Sequence, residues 1–284
     1  MKKQKYNQAP LPFIGQKRMF LKHFTNILNE QIKGDGEGWT IIDAFGGSGL
    51  LSHTAKQLKP KARVIYNDFD DYTKRLENID DINKLRRLII AALAEVEPQK
   101  KLQDDVKKRV IEIINRFDGF IDVHILTSWL LFSGKQCGTI EEFYRKSFYN
   151  CVRKSDYQRA DGYLEGVEVV KESFHTLLPR FYHEEKTIFV LDPPYLCTKQ
   201  ESYRQETYFD LIDFLRLVSL ARPPFIFFSS TKSEFIRFIN YLIEHKKDNY
   251  LSFEDYKRIA VKTSMNGMGG GYEDNLIYKL GELR

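Results

Sequence analysis

The stretch Thr187-Ile188-Phe189-Val190-Leu191-Asp192-Pro193-Pro194-Tyr195 decides how this chain is read. Five β-branched and apolar residues follow one another without polar alternation, the pattern of a strand covered on both faces. Pro193 and Pro194 have no N–H to give a neighbouring strand, so the strand must end near Asp192. A carboxyl group and the ring of Tyr195 are thereby set at the carboxyl end of a buried strand, where open α/β sheets bind ligands. The same residues also read as a strand that closes in a turn, with Asp192 capping whatever follows.

Working outward, further strands are expected at 40–45, 63–68, 167–173 and 224–230, with helices at 15–31, 49–59, 204–220 and 232–246. Strand alternating with helix predicts an α/β fold with a mainly parallel, doubly wound sheet. Residues 256–262 and 275–280 flank the glycine-rich NGMGGG (266–271) and predict an antiparallel pair at the end of the sheet. The rhythm breaks between about 75 and 160. Residues 81–96 and 102–117 carry apolar positions three and four apart, as amphipathic helices do. Residues 121–133 are mostly apolar and fit helix or strand. The division expected is a catalytic part, 1–74 with 161–284, interrupted by a mainly helical insertion at 75–160.

Composition is that of an ordinary globular chain: 284 residues, 42% hydrophobic and 29% charged. No apolar run approaches the roughly 18 residues of a membrane span. The lysines near the N-terminus precede no apolar core of a secretory signal. Cys137, Cys151 and Cys197 are odd in number and lack metal-type spacing, which predicts a reducing, cytoplasmic setting without a disulfide framework or zinc site. His53, His124 and His175 also lack metal-ligand spacing and are expected to be packed or at the surface. Net charge is +5, a mild bias compatible with nucleic acid. Within 135–159, Lys135, Arg145, Lys146, Arg153, Lys154 and Arg159 stand among Phe143, Tyr144, Phe148, Tyr149 and Tyr157. Such a mixture suits phosphate contacts with some base readout, or simply a solvated charged face.

Two more features carry chemistry. Asp43-Ala44-Phe45-Gly46-Gly47-Ser48-Gly49 follows the first strand and opens a helix. Its glycines permit a tight turn close to a ligand, and the N–H groups at the helix start suit an anion. It is neither GxGxxG nor a Walker motif, so dinucleotide and NTP readings lose ground. One strand later, Asp68 stands where a carboxylate accepts hydrogen bonds from a ribose, and is preferred to Asp70. An acid there also caps helices.

Taken in order, PFIGQK (12–17), FGGSG (45–49), the insertion and DPPY (192–195) resemble the Dam-like class of DNA adenine-N6 methyltransferases over nearly the whole chain. The resemblance implies a Rossmann-like methyltransferase sheet and S-adenosyl-L-methionine as cofactor. It implies double-stranded DNA as substrate, a flipped target adenine, and a cognate restriction endonuclease as a candidate partner. Asp192 and the carbonyl of Pro193 would accept the two N6–H bonds, Pro194 would complete the motif and Tyr195 would stack on the base. Asp43, Phe45, Gly46, Gly47, Gly49, Asp68, Ser173, Phe174 and Asp192 would face the cofactor, with Lys17 near its methionine carboxylate. Ser173-Phe174 stands where the family often has an Asp-Phe pair, and PFIGQK lacks a glycine pair before its lysine. Lys135, Arg145, Lys146, Arg153 and Lys154 would meet DNA. Tyr203 and Tyr208 would close over the base, and Cys197 has no catalytic part. An RNA adenine-N6 methyltransferase and a catalytically silent DNA-binding protein remain the alternatives.

Overall fold

The computed structural model describes residues 6–132, 135–195, 209–230, 234–263 and 272–281. A 3-10 turn (Arg18–Phe20) leads into α1 (Leu21–Gln31), then β1 (Thr40–Asp43), α2 (Leu50–Leu58) and β2 (Arg63–Asn67). A run of helices follows: α3 (Tyr72–Glu77), α4 (Ile79–Ala92), α5 (Asp104–Arg116), α6 (Val123–Leu130) and α7 (Ile140–Arg145). The sheet resumes with β3 (Glu168–Val170), α8 (Phe174–Phe181), β4 (Thr187–Leu191), α9 (Leu211–Leu220) and β5 (Phe225–Ser230). The chain continues through α10 (Phe235–Glu244), α11 (Tyr250–Phe253), β6 (Lys257–Thr263) and β7 (Tyr272–Lys279).

Among the described residues the sheet runs β3-β2-β1-β4-β5-β7-β6. The first five are parallel, while β7 inserts antiparallel between β5 and β6. The sheet is Rossmann-like, a parallel core extended at one side by an antiparallel pair. Alternate residues of each strand serve opposite faces. Phe189, Leu191, Phe225 and Phe227 pack under α8, α9 and α10, whereas Ile188, Val190, Ile226 and Phe228 pack under α1 and α2. Every residue of β4 and β5 is buried, as two covered faces require.

The chain leaves β1 for β2 on one side and later returns to place β4 on the other. Strand order therefore reverses between β1 and β4, and the crevice outside their carboxyl ends is where such sheets take ligands.

Some expectations shift. The helix expected over 15–31 begins only at Leu21, after the 3-10 turn. The strand expected at 167–173 shrinks to Glu168–Val170, because it is an edge strand pairing with β2 alone. Residues 121–133 yield helix α6, whose first turn is capped by Asp122 accepting from the N–H of Ile125 at 3.1 Å. Helix α9 starts at Leu211 behind a capping box formed by Asp210 and Asp213. Cys197, Tyr203, Tyr208 and the NGMGGG stretch lie outside the described residues.

The helices between β2 and β3 enclose a core of their own, with Ile82, Leu85, Ile89, Val110, Ile114, Leu126 and Trp129 buried in it. Ala9 and Leu11 join that core. The Tyr72 hydroxyl is 3.0 Å from both the N–H and the carbonyl of Leu11, and the buried Arg75–Asp122 pair (2.6 Å) also holds the Pro12 carbonyl. Residues 9–13, grouped by sequence with the catalytic part, thus pack on the insertion and lie between it and the sheet.

Candidate active site

At the carboxyl ends of β1 and β4 lies a cavity of about 530 Å³. Its walls bring together Lys17, Phe45, Gly46, Gly47, Ser173, Phe174, Asp192, Pro193, Pro194 and Tyr195. Residues scattered over 180 positions thus meet because the sheet collects their loops at one end (~180, a consequence of the parallel crossover connections).

The glycine turn is held from below and from the side. The Tyr66 hydroxyl donates to the Gly47 carbonyl at 2.7 Å, and the Tyr163 hydroxyl donates to that of Ser48 at 2.9 Å. A methyl group on Gly46 would sit 2.1 Å from Cδ2 of Tyr66, so only glycine fits there. Gly47 has φ +50° and lies under the ring of Phe13. Asn67 clasps the strand ends: its Nδ2 donates to the carbonyls of Ala44 (2.9 Å) and Glu172 (2.8 Å), and its Oδ1 accepts from the Glu172 N–H (2.9 Å). Opposite the turn, the rings of Phe45, Phe174 and Phe209 meet with centroids 5.4 to 6.0 Å apart.

At the end of β4, the Asp192 Oδ2 lies 2.7 Å from Lys17 Nζ, and both side chains are largely buried. Lys17 also donates to the Gly15 carbonyl at 2.7 Å and lies 5.5 Å from the centre of the Tyr195 ring. Burial pushes the Asp192 carboxyl above its ordinary range, and the ammonium of Lys17 opposes that shift. Burial likewise pushes the Tyr195 phenol up, so it stays protonated at neutral pH. Lys17 was expected near a cofactor carboxylate; the structure seats its ammonium on Asp192.

Three other expected cofactor residues do not line the cavity. Asp68 is turned into α3, where its carboxylate accepts from the N–H groups of Tyr72 (2.6 Å) and Thr73 (2.8 Å). It acts as a helix cap, and Asp70 stands on the cavity wall instead. Gly49 lies behind the turn at φ +68°, preceding α2. Asp43 is buried behind the wall, accepting from Ser52 Oγ at 2.6 Å through Oδ2, while its Oδ1 has no hydrogen-bond partner.

That burial pushes the Asp43 carboxyl up to about 7, with the nearby Asp192 adding to the shift. The folded protein therefore keeps a proton at Asp43 that the unfolded chain has released, and stability falls as pH rises from about 4 to 7. Asp43→Asn keeps an acceptor for Ser52 and is expected to remove this loss, on the order of 2–4 kcal/mol across the window. Urea unfolding of both proteins at pH 4.5 and 7.5 measures it. Equal pH dependence in the two would contradict the assignment.

Sequence reasoning missed several cavity residues. Phe13, Phe209, Ser230 and Asp274 line it, as do His175 and Asp213, paired at 2.8 Å between α8 and α9. The turn before α8 is set by Ser173, whose hydroxyl caps the helix by accepting from His175 N–H at 3.3 Å. His53 is packed, with Nδ1 2.6 Å from the Tyr163 carbonyl, and burial holds its pKa down. Among the described residues no group of three or more His, Cys, Asp or Glu could hold a metal ion, and no helix is long and apolar enough to cross a membrane.

On the insertion, Lys135, Arg145 and Lys154 are exposed. Lys146 pairs with Glu142 at 2.8 Å. Arg153 differs from these: it lines a second cavity beside the first.

The chain is 62% identical over 278 residues to a protein of Haemophilus influenzae (strain ATCC 51907 / DSM 11121 / KW20 / Rd) named "Putative methyltransferase", covering 98% of this chain and 94% of that one. Among solved structures, a "putative rRNA-methylase" from Clostridium thermocellum aligns over 92% of this chain and 96% of its own, at 11% identity and a TM-score of 0.33. The precorrin-6y C5,15-methyltransferase from Geobacter metallireducens GS-15 aligns over 98% and 100%, at 8% identity and a TM-score of 0.36. Structural likeness that low says nothing about the chemistry of this site. No family model matches the chain. The near full-length identity to the Haemophilus influenzae protein does decide the family: the chain belongs to the same methyltransferase family.

Proposed function

We propose that the chain methylates the N6 amine of adenine in double-stranded DNA, with S-adenosyl-L-methionine as methyl donor. The observation that carries this reading is the Asp192-Pro193-Pro194-Tyr195 run, at the end of β4, in one cavity with the glycine turn. The residues present fit the cofactor. The glycine turn, with Gly46 and Gly47 on the cavity wall, leads into α2, whose first N–H groups suit a carboxylate. Asp70 offers a carboxylate for a ribose, and the cluster of Phe45, Phe174 and Phe209 offers an apolar slot for a purine. When bound, the cofactor supplies an electrophilic methyl group on a sulfonium.

The chain's own residues would do the rest. An exocyclic adenine amine is a poor nucleophile, since its lone pair is delocalised into the ring. Asp192 and the Pro193 carbonyl are acceptors for its two N–H bonds, and holding both localises the lone pair on nitrogen. Orientation of this kind supplies on the order of 7–11 kcal/mol at best. The Lys17 ammonium opposes the burial that pushes the Asp192 carboxyl up, and so favours its charged, accepting form. Tyr195 stays a neutral phenol whose ring can stack on a base taken out of the duplex.

Transfer of tritium from methyl-labelled cofactor to unmethylated double-stranded DNA, beside an RNA of matched length, tests the substrate class. Label in DNA is the expected result. Label in RNA alone would replace this reading with the RNA methyltransferase, and binding of DNA without label would replace it with a silent binder.

A further inference from the structure

The cavity wall holds an acid to which the mechanism above gives no part. Asp274 lies near the start of β7, which runs antiparallel to β5 and so brings its amino end to the carboxyl ends of β4 and β5. It stands opposite Ser230 in register, and both line the cavity with Asp192 and Tyr195. Sheet geometry fixes the face they take. Phe228 pairs with Leu276 two residues further along each strand, and both are buried on the side of α1 and α2. Residues two apart on a strand share a face, so Ser230 and Asp274 belong to that side as well. The Lys17 ammonium is found there too, 5.8 Å from the centre of the Phe228 ring and 2.7 Å from Asp192.

Asp274 thereby sets a second carboxylate at the end of β4, beside the one that Lys17 holds. Burial raises both the Asp192 carboxyl and the Tyr195 phenol, and the charge of Asp274 adds to each shift, so its field reaches the reacting end of the cavity. Two other acids of the wall are engaged on the side of α8 and α9, Glu172 with Arg180 (2.9 Å) and Asp213 with His175 (2.8 Å). A sulfonium cofactor arrives as a cation and leaves, once its methyl is gone, as a neutral thioether. A fixed negative charge at the reacting end acts on the first and leaves the second almost untouched. We infer that Asp274 is a specificity-determining residue whose carboxylate shifts the site's preference toward the cationic, methyl-bearing cofactor and away from the neutral spent one. The inference rests on the S-adenosyl-L-methionine reading of the cavity and is independent of the substrate methylated.

The test is calorimetric titration of the full chain, without nucleic acid, with three ligands: S-adenosyl-L-methionine, S-adenosylhomocysteine, and sinefungin, which carries an ammonium in place of the sulfonium. Wild type is compared with Asp274→Asn, which keeps the shape without the charge, and with Asp274→Glu, which keeps the charge. Asp274→Asn is expected to weaken both cationic ligands by about 5- to 20-fold, the scale of one half-buried charge partly screened by solvent. S-adenosylhomocysteine should stay within about 2-fold, and Asp274→Glu should hold all three within about 3-fold, because a neutral ligand feels little of the charge and glutamate restores it. Thermal melts confirm folding, and Asp274→Ser serves as the neutral variant if Asp274→Asn does not fold. Equal weakening of all three ligands would make Asp274 a structural residue of the strand end and overturn the inference. So would unchanged affinities, or a loss for S-adenosyl-L-methionine alone, which would point to methyl packing instead of charge. A wild type that binds none of the three refutes the cofactor reading and the inference with it, a result distinct from binding with an unaltered ratio.

Discussion

Asp192→Ala is expected to lower methyl transfer by on the order of 10²–10⁴-fold while leaving S-adenosylhomocysteine affinity within a few-fold of wild type. The carboxylate is the side-chain acceptor for the adenine amine in the proposed arrangement, and its partner Lys17 cannot accept a hydrogen bond. The substitution also takes a carboxylate away from the Lys17 ammonium, whose side chain is 9% exposed. Removing one partner of a buried ion pair is itself destabilising, so a second variant is needed. Asp192→Asn keeps the shape and one acceptor oxygen but not the charge. It is expected to fold as wild type does and still to lose most turnover. Single-turnover rates, with cofactor affinity measured by calorimetry, separate the two effects. Unmutated turnover in either variant would refute the mechanism.

Gly46→Ala should be nearly as damaging by a different route. The added methyl would meet Tyr66 at 2.1 and 2.2 Å and the Asn67 carbonyl at 3.1 Å. Tyr66 cannot swing aside, being fully buried and tied through its hydroxyl to the Gly47 carbonyl and, at 3.1 Å, to Asp68. Overpacking of a tight core costs about 1–3 kcal/mol, occasionally more, and the rigid surroundings put this site at the upper end. A melting temperature lower by roughly 5–10 °C is expected. The turn must also move away from β2, so cofactor affinity should fall by more than about tenfold. Differential scanning fluorimetry with and without S-adenosylhomocysteine reads both. A variant that melts and shifts like wild type would mean that the turn has more room than the structure shows.

The architecture was legible in the sequence wherever a covalent constraint spoke plainly. Two prolines after five apolar residues put the end of β4 at the site, and the run of glycines marked the turn after β1. Both signals are local. Asp68 and Asp70 show the limit: an acid after a strand can face a ligand or cap the next helix, and spacing is the same for both. The N–H groups of Tyr72 and Thr73 decided it for Asp68. Lys17 on Asp192 pairs residues 175 positions apart (~175, beyond any helix or strand period), so no local pattern could have announced it. Phe209, Asp213 and Asp274 reach the cavity only because α9 and β7 pack against the parallel core. Arg153 had several basic neighbours of equal standing in sequence. Only its place on the wall of the second cavity sets it apart.

The central claim is that the amine held by Asp192 belongs to adenine in DNA. Nucleoside mass spectrometry tests it most directly, on unmethylated duplex DNA treated with the purified chain and S-adenosyl-L-methionine, with Asp192→Ala as control. N6-methyladenine in the wild-type digest, at least a hundredfold depleted in the control (about 10², the low end for losing one such group), is the predicted result. A methyl group on cytosine instead, or unmodified DNA from a chain that binds the cofactor, would contradict it.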